Sequence, residues 1–263
     1  MLIILKSIPS LQQTSQESPG SDITSPSNVL NDGYMKVMTQ EWSNLLFAHW
    51  AYEPAVVQRL LPQGVELDTF DGQAYVGLVP FMMRNLRLRG LPPIPTTSNF
   101  AEVNVRTYVK SRGRSAVWFF SLDTRQLLPT LVARTAFKLP YCYGPTDVSL
   151  VGSGDGAIFT SNVMRRWPQR SSSSIAVQVG PRVMAGPFED FLTARWGLVA
   201  ASRGNRMWYG PVEHEPWPLH RATLLHLDDN LVTAAGLPRP EGEPHLLFSP
   251  GVHTTIHSLQ RLQ

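Results

Sequence analysis

The chain has 263 residues, of which 43% are hydrophobic and 16% are charged, a composition that suits a substantial buried core with long apolar strands. The formal net charge of +3 permits an anionic ligand, but no basic stripe or recognisable binding module is present, so nucleic acid is not the expected partner. The single cysteine, Cys142, excludes an intrachain disulfide and favours a reducing, cytoplasmic setting.

The N-terminal residues differ in composition from the rest of the chain. After a short apolar patch at residues 2–5, Ser, Thr, Pro, Gln and Asn dominate up to about residue 33. The patch is too short to span a membrane and lacks the layout of a signal peptide. We therefore predict a disordered leader over residues 1–38 and one domain over residues 39–263, with Met35 or Met38 as alternative translational starts.

The first predicted elements after the leader are a short helix, a hairpin and a loop. Pro54 suits the first turn of a short helix, which Pro62 and Gly64 end. Alternating apolar residues in 65–69 and 74–79, separated by an Asp-Gly turn, predict a hairpin. Three prolines within residues 90–97 predict a loop.

The segment FAEVNVRTYV, residues 100–109, is predicted to be a strand with alternating faces. Val103, Val105, Thr107 and Val109 form one face. The other face carries Glu102, Asn104, Arg106 and Tyr108. In a barrel, either face could line the interior.

The rest of the chain is predicted to be mostly short strands. Residues 116–122, which include Trp118, are continuously apolar and aromatic, as in a strand buried on both faces. Strands are also predicted at residues 141–150, 157–166, 174–180, 205–210 and 219–227, and after Gly251. Helices are predicted at residues 129–137, 188–193 and 229–235. Many strands with few helices predict a mainly β fold with a closed or nearly closed antiparallel sheet.

Seven sequence blocks occur in order along the chain: LFAHW (46–50), VELDTFDGQAYVGLVPF (65–81), FAEVNVRTYV, GRSAVWFFSLD, FLTARW (191–196), PWPLHRA (216–222) and SPGVHT (249–254). Together they resemble the YqjF-like family of uncharacterised bacterial proteins. The resemblance covers residues 40–258. It implies an acetoacetate decarboxylase-like β-barrel or double sheet with a central cavity.

The resemblance to the decarboxylase also implies site residues. Glu102 matches an active-site acid of that enzyme, and the stretch from Arg134 to Lys138 matches the one that supplies its imine-forming lysine. The decarboxylase has two adjacent lysines, whereas Leu139 follows Lys138 here. Burial alone would then have to keep the amine neutral and nucleophilic.

Three functions are consistent with these residues. The first is a lyase for a small oxo acid, with Lys138 forming the imine, Glu102 as acid/base, and Arg106 or Arg134 binding the carboxylate. The second is a non-catalytic protein that binds an organic acid or hydrophobic molecule in the same cavity, and the third is a structural protein with a filled barrel. The predicted substrate-binding residues are Arg106, Arg134, Tyr108 and Trp118.

Structural roles compete with each of these assignments. Lys138 could end a helix and face water, and Glu102 could form an ion pair with Arg106 or Arg134. No zincin motif, nucleophile elbow or dinucleotide glycine motif occurs, so no metal and no cofactor are predicted. The expected partner is a small molecule rather than a nucleic acid or membrane, and a homo-oligomer remains open.

Overall fold

The computed structural model describes residues 33–92, 98–111, 113–126, 138–202, 204 and 206–262. Most of the predicted leader, the predicted helix over residues 129–137, and Arg134 lie outside these ranges. No helix among the described residues is long and apolar enough to cross a membrane.

Strands dominate the described chain. They are β1 Lys36–Tyr52, β2 Glu66–Leu67, β3 Ala74–Leu88, β4 Phe100–Ser111, β5 Arg114–Thr124, β6 Tyr141–Tyr143, β7 Thr146–Val151, β8 Ile158–Arg165, β9 Ser171–Val183, β10 Gly197–Ser202, β11 Arg206–His214, β12 Leu219–Asp229, β13 His245–His257 and β14 Gln260–Arg261. The helices are α1 Pro54–Gln58, α2 Pro187–Thr193 and α3 Leu231–Ala234. The prediction of a mainly β fold is confirmed.

Seven of these strands form a closed ring. Pairing runs from β11 through β10, β5, β4, β3 and β1 to β13, and β13 pairs with β11 again, with Val212 opposite Ile256. Closure removes exposed sheet edges, which is the usual reason for a barrel. Most pairings are antiparallel as predicted, but β5 pairs in parallel with β10 and with β6.

A second layer covers one side of the ring. Strands β12, β9, β8 and β7 continue outward from β13. Phe159 and Val177 of this layer are fully buried in one apolar cluster with Leu46 and Val103 of the ring. The main core therefore lies between the outer layer and the outside of the ring, which leaves the ring interior to other side chains.

Three local predictions differ from the structure. The hairpin over residues 65–79 is wrong in its pairing, because β2 pairs with β4 rather than β3. The Gln58 side chain explains this position, since it donates a hydrogen bond to Val65 O and accepts one from Leu67 N, tying β2 to α1. Strands β1 and β10 were not predicted, and β1 begins at Lys36, so residues 36–38 of the predicted leader belong to a strand.

Candidate functional site

A cavity of about 350 Å³ occupies the interior of the ring. Every one of the seven ring strands contributes to its wall, and most of that wall is apolar. Representative apolar residues are Trp42, Met83, Phe100, Phe119, Leu198 and Ile256. The volume is within the range of small-molecule binding sites.

Alternation along β4 determines which side chains reach the cavity. Phe100, Glu102 and Arg106 line it, whereas Val103 and Val105 pack into the outer core. The predicted shared face of Glu102 and Arg106 is therefore confirmed, and it is the inner one. This follows from the two-residue period of a strand.

Glu102 is a buried acid in the cavity wall. It is 3% exposed, and its Oε2 accepts a 2.9 Å hydrogen bond from the Tyr141 hydroxyl. Burial raises its pKa from 4.5 to about 8, against the opposing effect of the Tyr141 hydrogen bond, and the Asp123 charge raises it further. Glu102 is thus mostly protonated at pH 7. It forms no ion pair with a described basic residue.

Arg106 brings a buried cation to the same cavity. Its guanidinium lies 5.3 Å from the ring centroid of Phe47 and 5.7 Å from that of Tyr108. Nη2 donates a long hydrogen bond of 3.4 Å to Leu192 O, and the buried Nε has no acceptor among the described residues. No acid in the described chain forms an ion pair with it.

Arg195, by contrast, is neutralised. Its Nη1 lies 2.5 Å from Asp68 Oδ2, and its Nε donates a hydrogen bond to Phe191 O at 2.7 Å. Lys110 adds a second cation 3.3 Å from the other Asp68 oxygen. Glu102 is the one acid in the described cavity lining, and it is mostly protonated at pH 7. The positive charge of Arg106 is therefore not compensated within the described lining.

Five polar residues of the wall were not predicted from the sequence. They are Gln40, Tyr141, Thr193, Arg195 and His214. The two ring nitrogens of His214 lie 2.8 Å from Glu215 O and 3.2 Å from Arg195 O, and burial lowers its pKa. The one sequence signal that could have identified these residues is strand alternation. Alternation shows which residues share a strand face, but not whether that face lines a cavity.

Lys138 is separate from the cavity. Its Nζ lies 4.2 Å from the ring centroid of Trp208, and the residue is half-buried. The next residue, Leu139, does line the cavity. The structure therefore does not bring the Lys138 amine to Glu102, and neither does it leave that amine fully in water.

The two predicted aromatic site residues are not part of the cavity lining either. Trp118 faces away from the cavity and packs against the cluster that includes Val199 and Tyr209. Tyr108 is fully buried, with its hydroxyl 2.5 Å from His49 Nε2 and 2.6 Å from Leu192 O. The tyrosine has one proton to donate, so donation to Leu192 O makes His49 the donor in the other bond.

Within the described residues, no group of three or more His, Cys, Asp or Glu side chains could hold a metal ion. His257, for example, has its Nε2 3.2 Å from one carboxylate, Glu213 Oε1.

Comparison with known proteins identifies the family to which this chain belongs. Residues 39–253 match the model of DUF2071, described as an uncharacterized conserved protein. The chain belongs to the DUF2071 family. Over 220 residues it is also 35% identical to the uncharacterized protein YqjF of Bacillus subtilis, an alignment that spans 81% of this chain and 87% of YqjF. The YqjF-like resemblance is thereby confirmed.

Solved structures with this fold include acetoacetate decarboxylase-like proteins. The acetoacetate decarboxylase of Legionella pneumophila has a TM-score of 0.59 at 11% identity, covering 99% of this chain and 98% of its own. An acetoacetate decarboxylase-like enzyme from Sphingomonas wittichii has a TM-score of 0.63 at 13% identity, with 87% and 94% covered. The enduracididine biosynthesis enzyme MppR, complexed with pyruvate, has a TM-score of 0.62 at 15% identity, with 87% and 91% covered. At these low identities the structural likeness shows the fold of this DUF2071 member and nothing beyond the fold.

Proposed function

We propose that this protein binds an apolar organic acid inside the seven-strand ring, with the ligand carboxylate on Arg106. The observation that carries the proposal is a buried guanidinium that faces an apolar cavity without an ion-pair partner among the described residues. A buried, unpaired charge is costly, and an anionic ligand would remove that cost.

The protonation state of Glu102 in the cavity wall favours binding of an anionic ligand. At pH 7 the raised pKa keeps Glu102 mostly neutral, so it neither neutralises Arg106 nor repels a carboxylate. Arg195 is already occupied by Asp68. A protonated Glu102 can also donate a hydrogen bond to a ligand oxygen.

The apolar wall supports a hydrophobic ligand body. Trp42 and Trp217 lie in the lining with their rings stacked, with centroids 6.0 Å apart and planes at 9°. Such flat aromatic walls suit an alkyl chain or a planar ring.

Binding can be measured by calorimetry with straight-chain acids from acetate to dodecanoate. We expect at least one of these acids to bind, and Arg106→Gln to weaken it by about 30-fold, which corresponds to roughly 2 kcal/mol. Arg182→Gln, the same change at an exposed arginine of β9, should leave affinity unchanged. Equal binding of the acid and the alcohol of the same chain length would refute the carboxylate site.

A second candidate function is a lyase that acts on a small oxo acid through Lys138. The raised pKa of Glu102 favours it, because a buried, protonated acid can exchange a proton with a bound substrate. The Lys138 amine would condense with the ketone and release water, and loss of carbon dioxide would leave its electron pair on the iminium as an enamine. Glu102 would then protonate the enamine carbon, and water would release the product.

The position of Lys138 is the obstacle to this mechanism. The face of Trp208 stabilises a cation, whereas imine formation needs a neutral amine at the cavity. Borohydride trapping with acetoacetate and with pyruvate, followed by mass mapping, tests it directly. Labelling of Lys138 would establish the imine. If Lys138 is not labelled although the protein binds organic acids, the lyase mechanism is refuted and ligand binding is the function.

A further inference from the structure

A second polar site lies on the wall of the ring opposite Glu102 and Arg106. Strand register places Gln40 of β1 opposite Thr254 of β13, and Thr254 opposite His214 of β11. We name these three residues the polar row. Directly opposed residues on antiparallel strands have Cβ atoms about 5 Å apart, so the three side chains are neighbours on one face.

The polar row lies on strands other than β4. β13 is reached from β4 across β3 and β1 in one direction, and across β5, β10 and β11 in the other. Gln40 and His214 both line the cavity. A ligand held at Arg106 would therefore reach the polar row with a different part of its structure.

Two members of the row have unused hydrogen-bonding capacity. Gln40 is 5% exposed, and its Oε1 has no hydrogen bond within the described residues. Thr254 is 2% exposed, and its Oγ1 likewise has none there. His214 differs, since each of its ring nitrogens already lies at a backbone carbonyl. A buried polar atom without a partner costs about 1–3 kcal/mol, so these two groups favour a ligand that supplies one.

From these contacts we infer that the natural ligand is a hydroxylated or similarly donor-bearing apolar acid, whose second polar group binds Gln40 of the lining, next to Thr254. A hydroxyl fits this site because it can donate to the Gln40 amide oxygen, and Thr254 is the neighbouring side chain that can share the hydrogen bonding. This inference rests on the proposed function, because it takes the ligand carboxylate to be at Arg106. It adds selectivity, since a cavity built to bind a hydroxyl discriminates against the analogue that lacks it.

The test compares decanoic acid with the positional isomers of hydroxydecanoic acid by calorimetry at pH 7. We expect one isomer to bind about 10-fold more tightly than decanoic acid, as one or two added buried hydrogen bonds would produce. In Gln40→Leu this advantage, taken as the ratio of the two affinities within the same variant, should fall below about 2-fold. Gln178→Leu, at an exposed position of β9, is the matched control and should keep the full advantage.

Thr254→Val provides a second, nearly isosteric variant in case Gln40→Leu does not fold. It should reduce the same ratio of affinities. The inference is overturned if every isomer binds like decanoic acid, or if the advantage survives both substitutions. Decanoic acid would still bind through Arg106 in that case, so the proposed function would stand. If neither acid class binds, both proposals fail.

Discussion

The Tyr141 hydroxyl donates a 2.9 Å hydrogen bond to Glu102 Oε2, joining β6 to β4 across the wall of the cavity. A hydrogen bond to a carboxylate favours its charged form, whereas burial favours the neutral one. Burial is the larger effect at this position, and the pKa of Glu102 is raised to about 8. This acid therefore changes charge within an experimentally convenient range.

Glu102→Gln should flatten the dependence of stability on pH. Because the folded-state pKa, about 8, exceeds the unfolded value of 4.5, the folded protein binds the extra proton between these values, and stability falls as pH rises from about 4.5 to 8. The full difference corresponds to roughly 4–5 kcal/mol, reached at pH 8 and above. Urea unfolding at pH 5, 6, 7 and 8 should show that the free energy of unfolding of the variant increases relative to that of the wild type as pH rises.

Glu66→Gln is a suitable control for this experiment because Glu66 is an exposed acid on β2. Its unfolding free energies should run parallel to those of the wild type across the same pH series. Parallel curves for Glu102→Gln as well would show that Glu102 has an ordinary pKa.

Tyr141→Phe should raise the pKa of Glu102 further. The substitution removes the hydrogen bond that favours the carboxylate, while the burial that favours the neutral acid remains. Infrared titration of the protonated carboxyl stretch, assigned by its loss in Glu102→Gln, measures this pKa. Tyr143→Phe, on the same strand, should leave it unchanged. A lower pKa in Tyr141→Phe would contradict the role assigned to this bond.

Gly77→Ala should destabilise the protein by crowding His49. A Cβ at Gly77 would lie 2.6 Å from His49 Nε2, the atom that donates to Tyr108. Overpacking a buried site of this kind costs about 1–3 kcal/mol, measurable by urea unfolding. At Gly180 the nearest atom to an added Cβ is 3.4 Å away, so Gly180→Ala should be close to neutral. Equal effects of the two substitutions would count against this explanation.

Asp123→Asn should be among the most destabilising substitutions in the outer core. Arg165 donates to both Asp123 oxygens, at 2.6 and 2.5 Å, and to Ser121 Oγ at 2.8 Å, with both charged side chains almost fully buried. Removing one charge of a buried pair costs about 3–5 kcal/mol because the other is left unpaired. The double variant Asp123→Leu with Arg165→Met should recover much of this loss. A double variant as unstable as the single one would contradict the charge argument.

Several features were predictable from local sequence. The two-residue period of β4 correctly placed Glu102 and Arg106 on one face, and Pro54 correctly marked the start of α1. Such predictions succeed because side-chain alternation and the fixed φ of proline depend on the chain over only a few residues. The mainly β fold followed from many such short segments considered together.

The assembly of the site depended on contacts that are distant in the sequence. Gln40 and His214 share one wall because β11 pairs with β13 and closes the ring, and Tyr141 reaches the cavity because β6 pairs with β5. The Lys138 amine lies on Trp208 rather than in the cavity, and β2 joins β4 rather than β3. The sequence by itself determined which residues can share a strand face. Only the tertiary structure decided which faces enclose the cavity, because strand partners are selected by packing and ring closure over the whole chain.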